Sequence, residues 1–128
     1  MNLVTPLNRV LGLGSAKGGV GHWWHQRISA AALALLGLWF AFAIASLDDY
    51  AYQTVIAWIQ QPATSVLLIL TALTASYHSY LGVQVVIEDY VHANGPKVIL
   101  LTLSTFVHAA VAISALFAIL KIAFAPAP

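Results

Sequence analysis

The run from His78 to His92 reads HSYLGVQVVIEDYVH: a histidine lies within an uncharged apolar stretch, and Asp89 and Tyr90 close that stretch eleven residues later. An imidazole at bilayer depth is costly unless something binds it, and its natural chemistry there is metal ligation or a polar relay. The acidic and aromatic pair at the end of the same segment offers hydrogen bonding and proton transfer at the membrane surface. Together they are the parts of a place where a redox cofactor meets a quinone. The chain has no cysteine, so disulfides, thiolate metal sites and iron–sulfur ligation are excluded for it, and a metal must be held by histidine or carboxylate.

The elements that position these residues follow from composition. Of 128 residues, 61% are hydrophobic and 7% charged, against roughly 25% charged in a typical soluble domain. The fold class is therefore all-α, an integral membrane protein. Charges fall at Arg9, Lys17, Arg27, Asp48, Asp49, Glu88, Asp89, Lys97 and Lys121, leaving uncharged runs over 28–47, 50–87 and 98–120. Three transmembrane helices are predicted, at about 28–47, 62–88 and 97–121, in a single domain covering 1–128. The first run spans about 30 Å at 1.5 Å per residue, the thickness of the hydrocarbon core. Pro62 divides the second, because proline is accepted in a first helical turn; Tyr50 to Ile59 then forms an interfacial connection with Tyr50, Tyr52 and Trp58. Asn94-Gly95-Pro96 reads as the turn before the third helix.

Residues 1–27 read as a cytoplasmic N-terminal arm. Arg9, Lys17 and Arg27 place that end inside by the positive-inside rule, and three crossings then put the C-terminus on the periplasmic side; only Lys121 argues otherwise. The arm lacks the pattern of a secretory or transit segment, which favours a bacterial inner membrane. Its glycines, Gly12, Gly14, Gly18, Gly19 and Gly21, lack the strand, loop and helix order of a phosphate-binding loop, so nucleotide binding is not expected. Trp23 and Trp24 are boundary anchors, with docking of a soluble subunit as the alternative.

Ser29, Ala30, Ala31, Ala32, Ala34 and Gly37 give the first helix small residues, which let membrane helices pack closely. On the second helix, Thr71, Thr74, His78, Gly82, Val85 and Asp89 fall within about 40° of one line along the helix at about 100° per residue. Gly82, one turn from His78, reduces the wall beside the imidazole to backbone and leaves room for a planar macrocycle. Asp89 stands about 16 Å along the axis from His78 at 1.5 Å per residue, a distance electrons tunnel. This arrangement suits a haem exchanging electrons with a quinone.

At these residues the chain resembles the hydrophobic membrane anchor subunit, of the D type, of succinate dehydrogenase, respiratory complex II. The resemblance covers most of the chain. It is carried by His78, Gly82, Asp89 and Tyr90 in an H-x-x-x-G-x-x-x-x-x-x-D-Y pattern, by three helices, and by the arm ending His25-Gln26-Arg27-Ile28-Ser29-Ala30. It implies that His78 is one axial ligand of the haem b iron, with the opposite ligand on a companion cytochrome b subunit that packs against these helices. It further implies that Tyr90 donates a hydrogen bond to a ubiquinone carbonyl, that Asp89 orients polar groups or delivers protons there, and that Arg27 pairs with haem propionates. An iron–sulfur subunit and a flavoprotein subunit would pass electrons from succinate to this membrane pair, linking the tricarboxylic acid cycle to the respiratory chain. The chain alone would be non-catalytic, with the lipid membrane and these subunits as its partners and no nucleic acid.

The remaining polar residues have plainer readings. His108, amid Val107, Ala109 and Ala110, is expected to hydrogen-bond between helices; His22, His25 and His92 lie near the surface, and Glu88 is a solvated charge. Tyr90 also fits an aromatic belt. Two other functions use the same features: a small transporter subunit with a proton path through His78, Glu88 and Asp89, and a haem-free anchor of a fumarate reductase. The first would need a chain of ionisable groups across the bilayer, whereas Thr71 and Thr74 are the only polar residues above His78 on that line of the second helix.

Overall fold

A computed structural model of the protein describes residues 19–126. Four helices follow in order: α1 (Gly19–Ala45), α2 (Tyr52–Gln60), α3 (Pro62–Tyr90) and α4 (Asn94–Ala123). The chain is all-α, and α1, α3 and α4 are each long and apolar enough to cross a membrane. In hydrocarbon every backbone N–H and C=O must be satisfied within the segment, which makes the helix the only form open to these runs. At 27, 29 and 30 residues, they measure about 40–45 Å at 1.5 Å per residue, longer than the roughly 30 Å core. Their ends therefore emerge from the hydrocarbon or the helices tilt.

Two boundaries differ from the expectation. The first helix was expected from residue 28, after an arm ending at 27, but the chain is already helical at Gly19, the first described residue. Arg27 ends the uncharged run without ending the helix: no proline interrupts Gly19 to Arg27, and an exposed arginine near a helix end keeps its charge in the polar zone. Gly19 and Gly21 thus belong to α1, whereas Arg9, Lys17, Gly12, Gly14 and Gly18 lie outside the described residues. Likewise Asn94, Gly95 and Pro96 are not the turn but the first turn of α4, where proline's missing N–H costs nothing. The turn itself is Val91 to Ala93. Pro62 stands at the first position of α3 as expected, after an extended Gln61, and the connection expected at 50–59 contains the short helix α2.

The interior is small and polar. Among the described residues Ser29, Thr64, Ser65, Ser104 and Leu81 are buried, while Leu35, Phe42, Phe106, Ile113 and Phe117 lie open on the outer faces. That inversion of a soluble core suits helices in lipid, which associate through small residues and hydroxyl hydrogen bonds. The helix α3 stands in the middle of a row, packed on one side by α1 and on the other by α4. Among the described residues α1 does not reach α4. The short α2 packs against α3 and α4: the Gln60 side-chain amide donates to the Ile122 and Ala125 carbonyls at 3.3 and 3.2 Å, at the C-terminal end of α4, where carbonyls run out of helical donors. Trp58 stacks on Trp39 of α1 with centroids 6.4 Å apart and planes 19° from parallel.

Candidate functional site

The middle position of α3 decides which of its residues meet which neighbour. His78 faces α1, with Nδ1 2.9 Å from the Ser29 hydroxyl and Nε2 3.4 Å from the side-chain nitrogen of Gln26. The Ser29 hydroxyl also donates to the Gln26 carbonyl at 3.1 Å. Ser29 is among the most buried residues described, 5% exposed. Beside His78 on this seam, His25 Nδ1 and the Tyr77 hydroxyl are 2.5 Å apart. These two line a cleft of about 490 Å³ between α1 and α3, with Ser29, Ala32, Leu73 and Thr74.

Glycine at 82 keeps the same seam open. A Cβ built there would meet one atom within 4 Å, the Gln26 side-chain nitrogen at 3.9 Å. On α1, Gln26 Oε1 and His22 Nε2 are buried with no hydrogen-bond partner. Polar atoms buried without partners are scarce in folded proteins, and here two belong to side chains one turn apart on one helix.

These observations bear on whether the residues fit an axial haem ligation. Neutral imidazole is a haem-iron donor. The Nε2 atom of His78 is restrained by one long contact to a flexible amide whose oxygen is itself unbonded, and Gly82 leaves the adjoining ground clear. The site fits one imidazole ligand from this chain. Among the described residues no group of three or more metal-ligating side chains occurs.

The other site residues are spread along the molecule. Asp89 and Tyr90 close α3, both exposed, with Tyr90 at 76%. Eleven residues separate Asp89 from His78, a rise of about 16 Å. Lys97 at the start of α4 donates to the Glu88 carbonyl at 2.9 Å, placing a cation where α3's dipole is negative. Gln84 donates to the Glu88 carboxylate at 2.8 Å. Arg27 is not brought to His78: its guanidinium lies 5.6 Å above the Trp23 ring, and at about 100° per residue its direction from the α1 axis is about 160° from that of Ser29.

On the opposite side of α3, His108 is bonded between helices. Its Nε2 is 3.2 Å from the Ser79 hydroxyl, its Nδ1 is 2.8 Å from the Ser104 carbonyl, and Ser76 donates to the His108 carbonyl at 2.9 Å. His92, at the α3–α4 turn, has Nδ1 3.2 Å from the Tyr90 carbonyl.

Sequence reasoning placed Ser29 with the small packing residues and gave Gln26 and Tyr77 no role of their own. The one available signal was the polar spacing His22, Gln26 and Ser29, a single helical face in a segment otherwise rich in alanine and tryptophan.

The architecture is that of a polytopic membrane protein with a histidine lodged between two of its helices. The family model for the succinate dehydrogenase/fumarate reductase transmembrane subunit matches residues 1–120, and the chain belongs to that family. It is similar to the succinate dehydrogenase hydrophobic membrane anchor subunit of Rickettsia bellii, 38% identical over 63% of this chain and 65% of that one. The corresponding subunit of Paracoccus denitrificans is 29% identical over 70% of each chain. The membrane anchor subunit of Reclinomonas americana is 30% identical over 65% of this chain and 72% of its own length. The match thus spans just under two thirds of the Rickettsia bellii relative.

Proposed function

We propose that the chain is the hydrophobic membrane anchor subunit of a succinate:ubiquinone oxidoreductase. In this reading it sits in a bacterial inner membrane with its N-terminus cytoplasmic and its C-terminus periplasmic. It holds a flavoprotein and an iron–sulfur subunit at the membrane and shares a haem b and a quinone site with a companion cytochrome b subunit. The carrying observation is the His78 imidazole, seated between α1 and α3 with Nε2 free of any strong partner, in a chain of this family. Bound there, haem supplies a one-electron store between the soluble subunits and the quinone.

The chain's own residues then divide the work. His78 would supply one nitrogen to the haem iron, and Gly82 leaves no side chain on the adjacent turn. Tyr90, exposed at the end of α3, donates its hydroxyl proton in a hydrogen bond to a quinone carbonyl. Asp89 beside it holds or releases a proton at the same membrane surface. Arg27, on another face of α1, would pair its guanidinium with the anionic haem propionates. The exposed apolar faces of α1 and α4 are left for the companion and for lipid.

An affinity tag on this chain tests the assembly. Purification in mild detergent is expected to bring down the flavoprotein and iron–sulfur subunits with succinate:quinone reductase activity. A chain that purifies without them, from membranes whose succinate:quinone activity survives its deletion, contradicts the reading.

A further inference from the structure

We propose that Ser29 is a positioning residue for His78: its hydroxyl oxygen accepts the Nδ1 proton, fixes the ring's tautomer and orientation, and leaves Nε2 as the nitrogen with the free electron pair. This rests on the reading of His78 as an axial haem ligand.

The argument is a count of protons. A serine hydroxyl has one proton to donate, and that of Ser29 goes to the Gln26 carbonyl, three residues back at 3.1 Å. Its contact with His78 Nδ1 at 2.9 Å is then made through an oxygen lone pair, so Nδ1 carries the hydrogen. The other ring nitrogen agrees. Nε2 lies 3.4 Å from the Gln26 amide group, a contact compatible with an Nε2 that accepts. The opposite tautomer would require the Ser29 proton to leave the Gln26 carbonyl.

The consequence for ligation is direct. A ligating imidazole whose second N–H is held by an acceptor has its ring oriented and its basicity raised, and such partners are worth about 10–100-fold in metal affinity. Ser29 is 5% exposed, so water does not readily replace it. Gln26 takes the complementary part. Its flexible amide occupies the space before Nε2 until a stronger partner arrives, and its own oxygen, buried without a partner, has no bond to lose when the side chain turns away.

The test uses the whole purified complex with Ser29→Ala, Ser29→Cys and Ser29→Thr. Haem content per complex, the rate of haem loss in detergent and a spectroscopically followed potentiometric titration are measured for each. Ser29→Ala is expected to lose haem about 10–100-fold faster and to shift the midpoint potential upward, because a less basic imidazole stabilises the oxidised iron less. Ser29→Cys, close in volume but a poor acceptor, gives the same result and serves if the alanine variant does not assemble. Ser29→Thr, which keeps the hydroxyl, restores both values. The inference is overturned if haem is present, disappears in His78→Ala, and is unchanged in rate and potential by Ser29→Ala or Ser29→Cys. It is also overturned if threonine behaves like alanine, since side-chain volume would then govern. A wild-type complex without haem fails differently: it removes the ligand reading itself.

Discussion

Ser79 and His108 meet across α3 and α4, with hydroxyl oxygen and Nε2 3.2 Å apart, one residue along α3 from the imidazole that Ser29 holds on the other side. Consecutive residues of one helix are thus gripped by two different neighbours. Since neighbours on a helix diverge by about 100°, α3 presents His78 to α1 and Ser79 to α4.

The grip on the α4 side is modest in energy. Side-chain hydrogen bonds between membrane helices average about 0.6 kcal/mol and reach about 1.7 kcal/mol. Ser79→Ala is expected to cost within that range, read as a small fall in the detergent-unfolding midpoint, with the haem spectrum unchanged. Loss of haem in Ser79→Ala would mean that the α3–α4 bond controls the ligand directly.

Gly82 distinguishes a methyl group from a larger side chain. An added Cβ meets only the Gln26 amide nitrogen, at the ordinary contact distance of 3.9 Å, so Gly82→Ala should assemble with normal haem. It also removes a backbone-entropy cost of about 0.5–1 kcal/mol. Gly82→Leu extends into the ground beside His78 and should insert in the membrane yet lose haem. Normal haem content in the leucine variant would sink the proposed clearance.

Tyr90 is exposed at the end of α3, and Tyr90→Phe removes one hydroxyl and little else. A neutral hydrogen bond is worth about 0.5–1.5 kcal/mol, so quinone reduction should slow by up to about tenfold while the haem spectrum stays the same. Unaltered quinone kinetics would assign Tyr90 to the aromatic belt.

Asp49 begins α2. The Thr54 hydroxyl, and then the Ala51 N–H at 3.0 Å, hold its carboxylate below the ordinary value of 3.8. A carboxylate depressed in the folded state stabilises fully above its unfolded value, and that contribution fades as pH falls from about the ordinary carboxylate range through the lower folded value. Fraying at the start of α2 is therefore expected only in acid, and Trp58, stacked on Trp39, reports it by fluorescence. Asp49→Asn should abolish that acid-dependent change. An identical pH response in the asparagine variant would exclude Asp49 as its origin.

The three crossings and the start of α3 at Pro62 were legible because hydropathy and proline chemistry act locally. The start of α1 was misjudged because a charge was treated as a helix end, although Arg27 stays exposed while the backbone continues. Asn94-Gly95-Pro96 was read as a turn because its composition fits both a turn and a first helical turn. His78, Gly82, Asp89 and Tyr90 stand out by spacing along one helix. The partners of His78 do not, since Ser29 and Gln26 are 49 and 52 positions away and are specified only by how α1 lies on α3. Ser29 looks like its alanine neighbours until its hydroxyl is seen facing the imidazole.

The most direct test of the central claim is a reduced-minus-oxidised visible spectrum of the purified complex, wild type beside His78→Ala. A b-type haem signal in the wild type that vanishes in the variant, with the subunits still assembled, is the predicted result. A haem signal that persists in His78→Ala, or none in the intact wild-type complex, contradicts the account.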